Sequence, residues 1–371
     1  MGSFSFASGN AAQVVRLPLH ALGLAATRVI PRSKDRWVFG CAVGIADGAL
    51  ALWEVAAAHG ETAVWLVGSD AEAAAARDAG IPSAPKRGLH GFWLTARARV
   101  VVVTHGAGDV NRYGTSGAFL VQLWHGIPLK RLGLDSPVTA RAPIPGLGRF
   151  LRFAYRRTQR RIRLMPAASH LVRGRLESAF GLDGDRIAVT GEPRVDVLSS
   201  GEGAAAARAR VAAVAGPLGD SRLVLYAPTW RDGAPDPAVP TAEEWQRIVE
   251  VLEATDAVLF VRSHPLGAGD YSPPRPSSRI RSLGSDLLAD VTPTLPAFDV
   301  LITDYSSLVF DSALIPLPVL YFAPDEVRYG AERGFYGRYR DVAGDDVAAD
   351  WSTVVEQLEA VLEDESERGR R

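Results

Sequence analysis

Residues Asp299–Asp325, DVLITDYSSLVFDSALIPLPVLYFAPD, decide how this chain is read. Val300 to Ile302 form an apolar run that Thr303-Asp304-Tyr305 break, and Ser306-Ser307 then open a segment whose Leu308, Val309, Phe310, Leu314 and Ile315 suit a packed helix. A second apolar run leads to Ala323. Buried strand, polar turn, short helix and buried strand in that order are the repeating unit of a parallel sheet. A serine pair at a helix start is a cap. It is also where free backbone N–H groups collect beyond the carboxyl end of a parallel strand, so the same turn could hold a phosphate or diphosphate. Capping alone accounts for the serines, whereas Thr303, Asp304 and Asp311 favour a nucleotide site.

The alternation extends outward from this stretch. Downstream of residue 220 it predicts strands at 222–227, 257–262, 300–304 and 318–322, with helices at 241–254 and near 351–363. Upstream it predicts strands at 37–40, 63–67, 100–104, 120–124, 162–168 and 186–190, with helices at 49–59, 70–79 and 169–180. A length of 371 residues, 47% of them hydrophobic, exceeds what one core usually organises. The expected organisation is an N-terminal arm (1–36), a first domain (37–200), an Ala/Gly-rich link (201–219) and a second domain (220–371). Gly40 and Gly44 follow the first strand, but no G-x-G-x-x-G dinucleotide fingerprint is present. His59, His90 and His105 stand alone and read as ordinary surface or loop residues.

Composition narrows the class. The net charge of −1 does not suggest nucleic acid, and the single Cys41 excludes an internal disulfide and fits a reducing compartment. The start, MGSFSFASGNAAQVV, lacks a basic region followed by a long apolar one, and no stretch reaches the roughly 18 apolar residues that span a bilayer. The expectation is a protein kept inside the cell. The neutral total conceals a polarised chain: residues 149–163, RFLRFAYRRTQRRIR, carry seven arginines and no acid, whereas residues 345–371 carry nine acids and three arginines. Arg149, Arg152, Arg156, Arg160 and Arg163 recur at helical spacing beside Phe150, Phe153, Tyr155 and Ile162, a pattern suited to lipid head groups or a polyphosphate chain, or else to a solvated connector. The arm, with Pro18 and Pro31 bounding its apolar and basic residues, reads as a packing arm or as a second membrane contact.

Three further strand ends carry chemistry. In FLVQLWHGIPLKRLG (119–133) a strand delivers His125-Gly126 to the edge at which open α/β sheets place ligands. Histidine suits proton transfer near neutrality, Gly126 permits close approach to the backbone, and Lys130 with Arg131 adds positive charge. The alternative is a histidine that only bonds a neighbouring carbonyl. YAPTWR (226–231) ends a strand with Thr229 and Arg231, and FVRSHP (260–265) ends the next with Arg262 and His264. Cations and amide donors converging at strand ends are what a diphosphate requires. Asp183-Gly184-Asp185 is formally D-x-D, but its place between a helix and a strand assigns it to turn chemistry, and no metal site is expected.

In order along the chain, WHGIPLKRLG, TGEPRVD, YAPTWRD, RSHP, DVLITDYSSLVFD, PVLYFAPDE and RGFYGRY resemble the CDP-glycerol glycerophosphotransferase family of teichoic acid primases and polymerases. The resemblance covers about Trp37 to Arg340. It implies a GT-B fold: two Rossmann-like, doubly wound α/β domains facing a cleft, with the acceptor on the amino-terminal side and a CDP-alcohol on the carboxyl-terminal side. It implies a lipid-linked or polymeric acceptor and peripheral attachment to the inner membrane face, for which Arg149–Arg163 is the candidate contact; no cofactor or metal is expected. Residue by residue, it makes His125 the general base and His264 the histidine beside the donor diphosphate. Ser306, Ser307 and Asp311 match the family's S-S-x-x-x-D, with Arg333, Asp325 and Glu326 in the matching tail. The short chain suggests addition of one or a few units. A GT-B glycosyltransferase using a nucleotide sugar, or a non-catalytic nucleotide-binding scaffold, are the alternatives.

Overall fold

The computed structural model describes residues 17–137, 139, 147–199, 203–231, 236–263 and 269–371. They divide into two compact units. One runs up to Asp196 and takes in Glu332–Gly334; the other comprises Val197–Ala331 and Phe335–Arg371.

The first unit is built on seven parallel strands: β1 (Arg36–Gly40), β2 (Thr62–Val67), β3 (Ser83–Pro85), β4 (Val100–Val103), β5 (Phe119–Gln122), β6 (Ile162–Ala167) and β7 (Ile187–Val189), in the spatial order 3-2-1-4-5-6-7. The central β4 is four consecutive valines, each 7% exposed or less, as expected for a strand covered on both faces. The order reverses direction between β1 and β4, so their carboxyl ends flank the crevice in which doubly wound sheets bind ligands.

The second unit repeats the plan with five parallel strands: β8 (Arg222–Ala227), β9 (Ala257–Val261), β10 (Ile280–Ser282), β11 (Val300–Thr303) and β12 (Val319–Tyr321), in the order 10-9-8-11-12. Its reversal lies between β8 and β11, paired from Val224–Val300 to Ala227–Thr303. The helix Ala242–Ala254 starts at a capping box, Thr241 Oγ1 accepting from Glu244 N at 3.3 Å while Glu244 Oε2 accepts from Thr241 N at 2.7 Å. Trp245, Ile248 and Leu252 give it a buried face. Trp351–Glu363 buries Trp351, Val354, Val355, Leu358, Val361 and Leu362 at helical spacing, capped by Asp350.

Three stretches differ from the sequence expectation. Most of the supposed link is the helix Ala204–Ala215, whose Ala207 and Val211 are buried in the second unit's core with Leu223, Leu225 and Phe260. Alanine-rich sequence fits a linker or a closely packed helix equally well, and here core contact decides. The arm holds a helix, Leu17–Val29, with Pro18 in its first turn and Pro31 beyond its end. Arg32 just beyond it ties the arm down by donating to the carbonyls of Thr95, Ala98, Gly114 and Ser116. Finally, the arginine-rich helix stops at Gln159, so Arg163 lies on β6 and the helical spacing does not carry through. Tyr155 and Ile162 are buried in the first unit, whereas Phe150 and Phe153 are each 63% exposed.

Candidate active site

In the first unit, β4 and β5 lie side by side and each hands a histidine to the sheet's carboxyl edge. Beyond β4, Thr104 N, His105 N and Gly106 N all donate to Asp109 Oδ2, at 2.9, 2.7 and 3.2 Å. This closes a tight loop across the end of β1. Gly40 has to be glycine there, because a Cβ would sit 2.3 Å from the Asp109 carbonyl oxygen. Gln122 at the end of β5 donates to Thr104 O at 2.9 Å, locking the two strand ends together.

Beyond β5 the chain turns abruptly. Trp124 has φ +65, a conformation that a bulky side chain adopts only under constraint, at a cost of about 1–3 kcal/mol. Its ring packs edge-on against Phe180 at 5.1 Å, which holds it there. The turn swings His125 out of the strand, and Gly126, at φ +126, continues a path that a side chain would resist. His125 is half-buried, and its Nδ1 is buried with no hydrogen-bond partner among the described residues. Burial, and then the charges of His105 and Arg194, hold its pKa well below the usual histidine value, so the ring is neutral at physiological pH. A neutral imidazole at a sheet edge can accept a proton. Lys130 is half-buried nearby and disfavours charge on His125 in the same sense.

His105, expected to be an ordinary surface or loop residue, lies flat on His125 with ring centroids 4.2 Å apart and planes 5° from parallel. A signal was present: VVVVTHG (100–106) and LVQLWHG (120–126) both end an apolar strand in His-Gly. Across the same crevice Asp47, at φ +64, lies 3.6 Å from Arg194 Nε of the GEPRVD segment.

In the second unit the strand ends of β8 and β11 are joined by a buried network. Asp304 Oδ1 accepts from Thr229 N at 2.9 Å and from Tyr305 N at 2.6 Å, and its Oδ2 accepts from Arg231 Nη1 at 3.0 Å. Arg231 makes a bidentate pair with Asp325, at 2.9 and 2.8 Å, and also donates to Thr229 O. Its guanidinium carbon sits 5.1 Å from the Tyr305 ring centre and 4.8 Å from that of Tyr329. Burial lowers the Arg231 pKa, but its bonds to Asp325 and the charges of Asp304 and Asp325 outweigh this, and the net shift is upward. Tyr305 OH donates to Asp325 at 2.9 Å, Tyr339 OH to Asp304 O at 3.1 Å, and Thr303 Oγ1 to Ala227 O at 2.6 Å.

These bonds correct the roles expected of the two strand-end arginines. Arg231 is only 7% exposed and all three of its nitrogens are bonded within the protein. Arg262 donates to the carbonyls of Leu283, Leu288 and Ala289 at 3.0, 2.7 and 3.1 Å. Neither is the free cation expected at a diphosphate; each ties a loop to a strand end. Thr229, Thr303, Asp304 and Asp311 are likewise buried. What the network leaves accessible is the turn itself: Ser306 and Ser307 are half-buried, and Ser306 Oγ accepts from Leu308 N at 3.2 Å. The helix they open, Leu308–Ser312, is one turn long and lacks a side-chain cap from Ser307. Glu326 pairs with Arg340 at 2.8 Å, and Arg333 ends the helix Glu326–Arg333, half-buried. His264 lies outside the described residues. No group of three or more metal-ligating side chains occurs among the described residues.

The model of the family described as CDP-Glycerol:Poly(glycerophosphate) glycerophosphotransferase matches residues 27–371. The chain is 25% identical over 301 residues to the teichoic acid glycerol-phosphate transferase of Staphylococcus aureus (strain NCTC 8325 / PS 47), covering 77% of this chain and 73% of that protein. It is 31% identical over 230 residues to the teichoic acid poly(glycerol phosphate) polymerase of Staphylococcus epidermidis, covering 60% of this chain but 31% of that protein, so it spans about a third of that polymerase's length. Among solved structures the wall teichoic acid polymerase TagF superposes with a TM-score of 0.74 at 21% identity, over 96% of this chain and 88% of that one. The likeness shows the fold, α/β of the GT-B class with a Rossmann-like sheet in each unit.

Proposed function

Because the chain belongs to the CDP-glycerol:poly(glycerophosphate) glycerophosphotransferase family, we propose that it moves glycerol-phosphate, or another polyol-phosphate, from a CDP-alcohol to a hydroxyl of a lipid-linked or polymeric acceptor in teichoic-acid-like polymer synthesis. The observation that carries this reading is His125: an imidazole held neutral by burial, delivered by a constrained turn to the ligand edge of the sheet, with a buried nitrogen that no described residue occupies. His125 takes the proton of the acceptor hydroxyl as that oxygen attacks the phosphorus bearing the polyol. The new P–O bond forms as the bond to the bridging oxygen breaks, and CMP leaves with the electron pair.

The Ser306-Ser307 turn is the proposed seat of the donor phosphates. Supporting this are its place at the β8–β11 reversal, its half-buried hydroxyls, and the Asp304–Arg231–Asp325 network that holds its base rigid. His264, beside that strand end in sequence, completes the donor side in this proposal. The test is CMP release from CDP-glycerol and CDP-ribitol with a prenol-linked acceptor in EDTA, where turnover of at least one donor is expected. Turnover of a UDP- or GDP-sugar instead would replace this reading with the glycosyltransferase one, and binding without turnover would leave a scaffold.

Attachment to an anionic membrane surface belongs to the same proposal. Its support is the helix Leu147–Gln159, where Arg149, Arg152, Arg156 and Arg157 are exposed beside Phe150 and Phe153. No helix among the described residues is long and apolar enough to cross a membrane. Sedimentation with vesicles rich in anionic lipid, falling as salt rises, is expected, with weaker attachment once Arg156, Arg157, Arg160 and Arg161 are changed to Gln. Unchanged sedimentation of that variant would make the helix a connector.

A further inference from the structure

A histidine that acts as a base is commonly oriented through its second nitrogen, which donates to a carboxylate or a carbonyl. In His125 the Nδ1 finds no partner among the described residues, and the polar support of the ring is a bond to the Thr104 backbone, which favours its charged form. Its plane is bounded as well by ring contact on two sides, His105 at 4.2 Å and 5°, and Trp124 at 4.1 Å and 33°. We propose that His105 is the positioning residue of His125, a flat wall that sets the plane in which the base meets the acceptor hydroxyl and that restricts the two rings to one shared proton. The proposal rests on His125 being the base.

His105 is built to be rigid. Its own amide and those on either side of it are held by the Asp109 carboxylate, its Nδ1 lies 2.8 Å from Thr104 Oγ1, and that hydroxyl also contacts Cys41 Sγ at 3.1 Å. A wall on a mobile loop would not orient anything; this one is bound to the ends of β1, β4 and β5. The stack also has an electrostatic consequence. Two imidazolium rings face to face at 4.2 Å repel strongly, so the pair resists a second proton. The charged groups around it divide unevenly. Burial lowers the pKa of both rings, and further for His125; Asp109 and Asp47 oppose the fall on His105, while Arg194 disfavours charge on both rings and Lys130 on His125. A proton that enters the pair at rest is therefore drawn to His105, which leaves His125 free to accept the one released in the reaction.

The sign of the pH effect follows. Activity requires neutral His125, so the rate falls as pH drops through the pKa of that ring. Charge on His105 pushes that pKa down; without it the proton binds His125 more readily, and the acid limb moves to higher pH. The variants are His105→Ala, which removes wall and charge, and His105→Phe, which keeps a flat ring and removes the charge. His105→Ala should lose about 10- to 100-fold in kcat with KM for CDP-glycerol unchanged, the size expected of a misplaced reacting group. His105→Phe should recover most of kcat, yet keep the acid limb shifted upward. If His105→Ala retains the parent kcat, or if the limb in His105→Phe coincides with the parent's, the proposal is overturned. Should His105→Ala fail to fold, His105→Phe still decides through its limb. His125→Ala measured alongside separates the two levels: full activity there removes the base itself, whereas an inactive His125→Ala beside parental His105 variants removes only the positioning role.

Discussion

At the carboxyl ends of β4 and β5 the first unit leaves a buried imidazole nitrogen without a partner among the described residues, whereas at the ends of β8 and β11 the second unit bonds every nitrogen of the arginine it buries. The second place is the topological reversal of its sheet; the first adjoins one, since β4 borders the reversal between β1 and β4 and β5 is the next strand. Both hold titratable groups out of water. In the second unit the cost of burying Arg231 is offset by two carboxylates, a carbonyl and two aromatic faces. In the first, burial of His125 is met by making the ring neutral, with Nδ1 unbonded among the described residues. A network that satisfies itself shapes a loop. A group left unsatisfied at a ligand edge is available to a ligand, and the constrained Trp124 that presents it points the same way.

The largest expected effect is at His125. Its replacement by Ala should lower kcat by about 10²–10⁴-fold, the usual contribution of a general base, while calorimetric affinity for CDP-glycerol stays near the parent value. Normal turnover, or a loss confined to donor affinity, would assign the base to another residue of the first unit.

The fold was legible because strands covered on both faces are continuous apolar runs: VVVV at 100–103 and AVLFV at 257–261 leave little choice. The three-residue strands Ser83–Pro85 and Ile280–Ser282 were not, being too short and too polar to stand out from loop. At the site, a strand end names the residues that reach the ligand edge, and His125 is one of them. It does not name their partners. Arg231 reads as a free cation because Asp304 and Asp325 lie 73 and 94 positions away in sequence, and only the fold brings those acids to it. His105 was passed over for the converse reason: alone it has no role, and its relation to His125 exists only once β4 and β5 pair.

The second unit's half of the comparison is tested by Arg231→Met, which keeps much of the side chain's bulk and deletes its charge. Asp304 and Asp325 would then be left partly buried without their counter-ion, a change that typically costs about 3–5 kcal/mol. The unfolding midpoint in urea should fall accordingly. Donor affinity of the protein that remains folded should fall less, because the Ser306-Ser307 turn is held by Arg231 indirectly, through Asp304. Adding Asp304→Asn and Asp325→Asn to Arg231→Met should recover part of the lost stability, since the stranded charges go with their partner; the size of that recovery measures the coupling among the three groups. The opposite pattern would collapse the distinction between the two sites. If Arg231→Met unfolds where the parent does yet no longer binds CDP-glycerol, the arginine contacts the donor directly, and a fully bonded side chain in this fold can still exchange its partners for a phosphate.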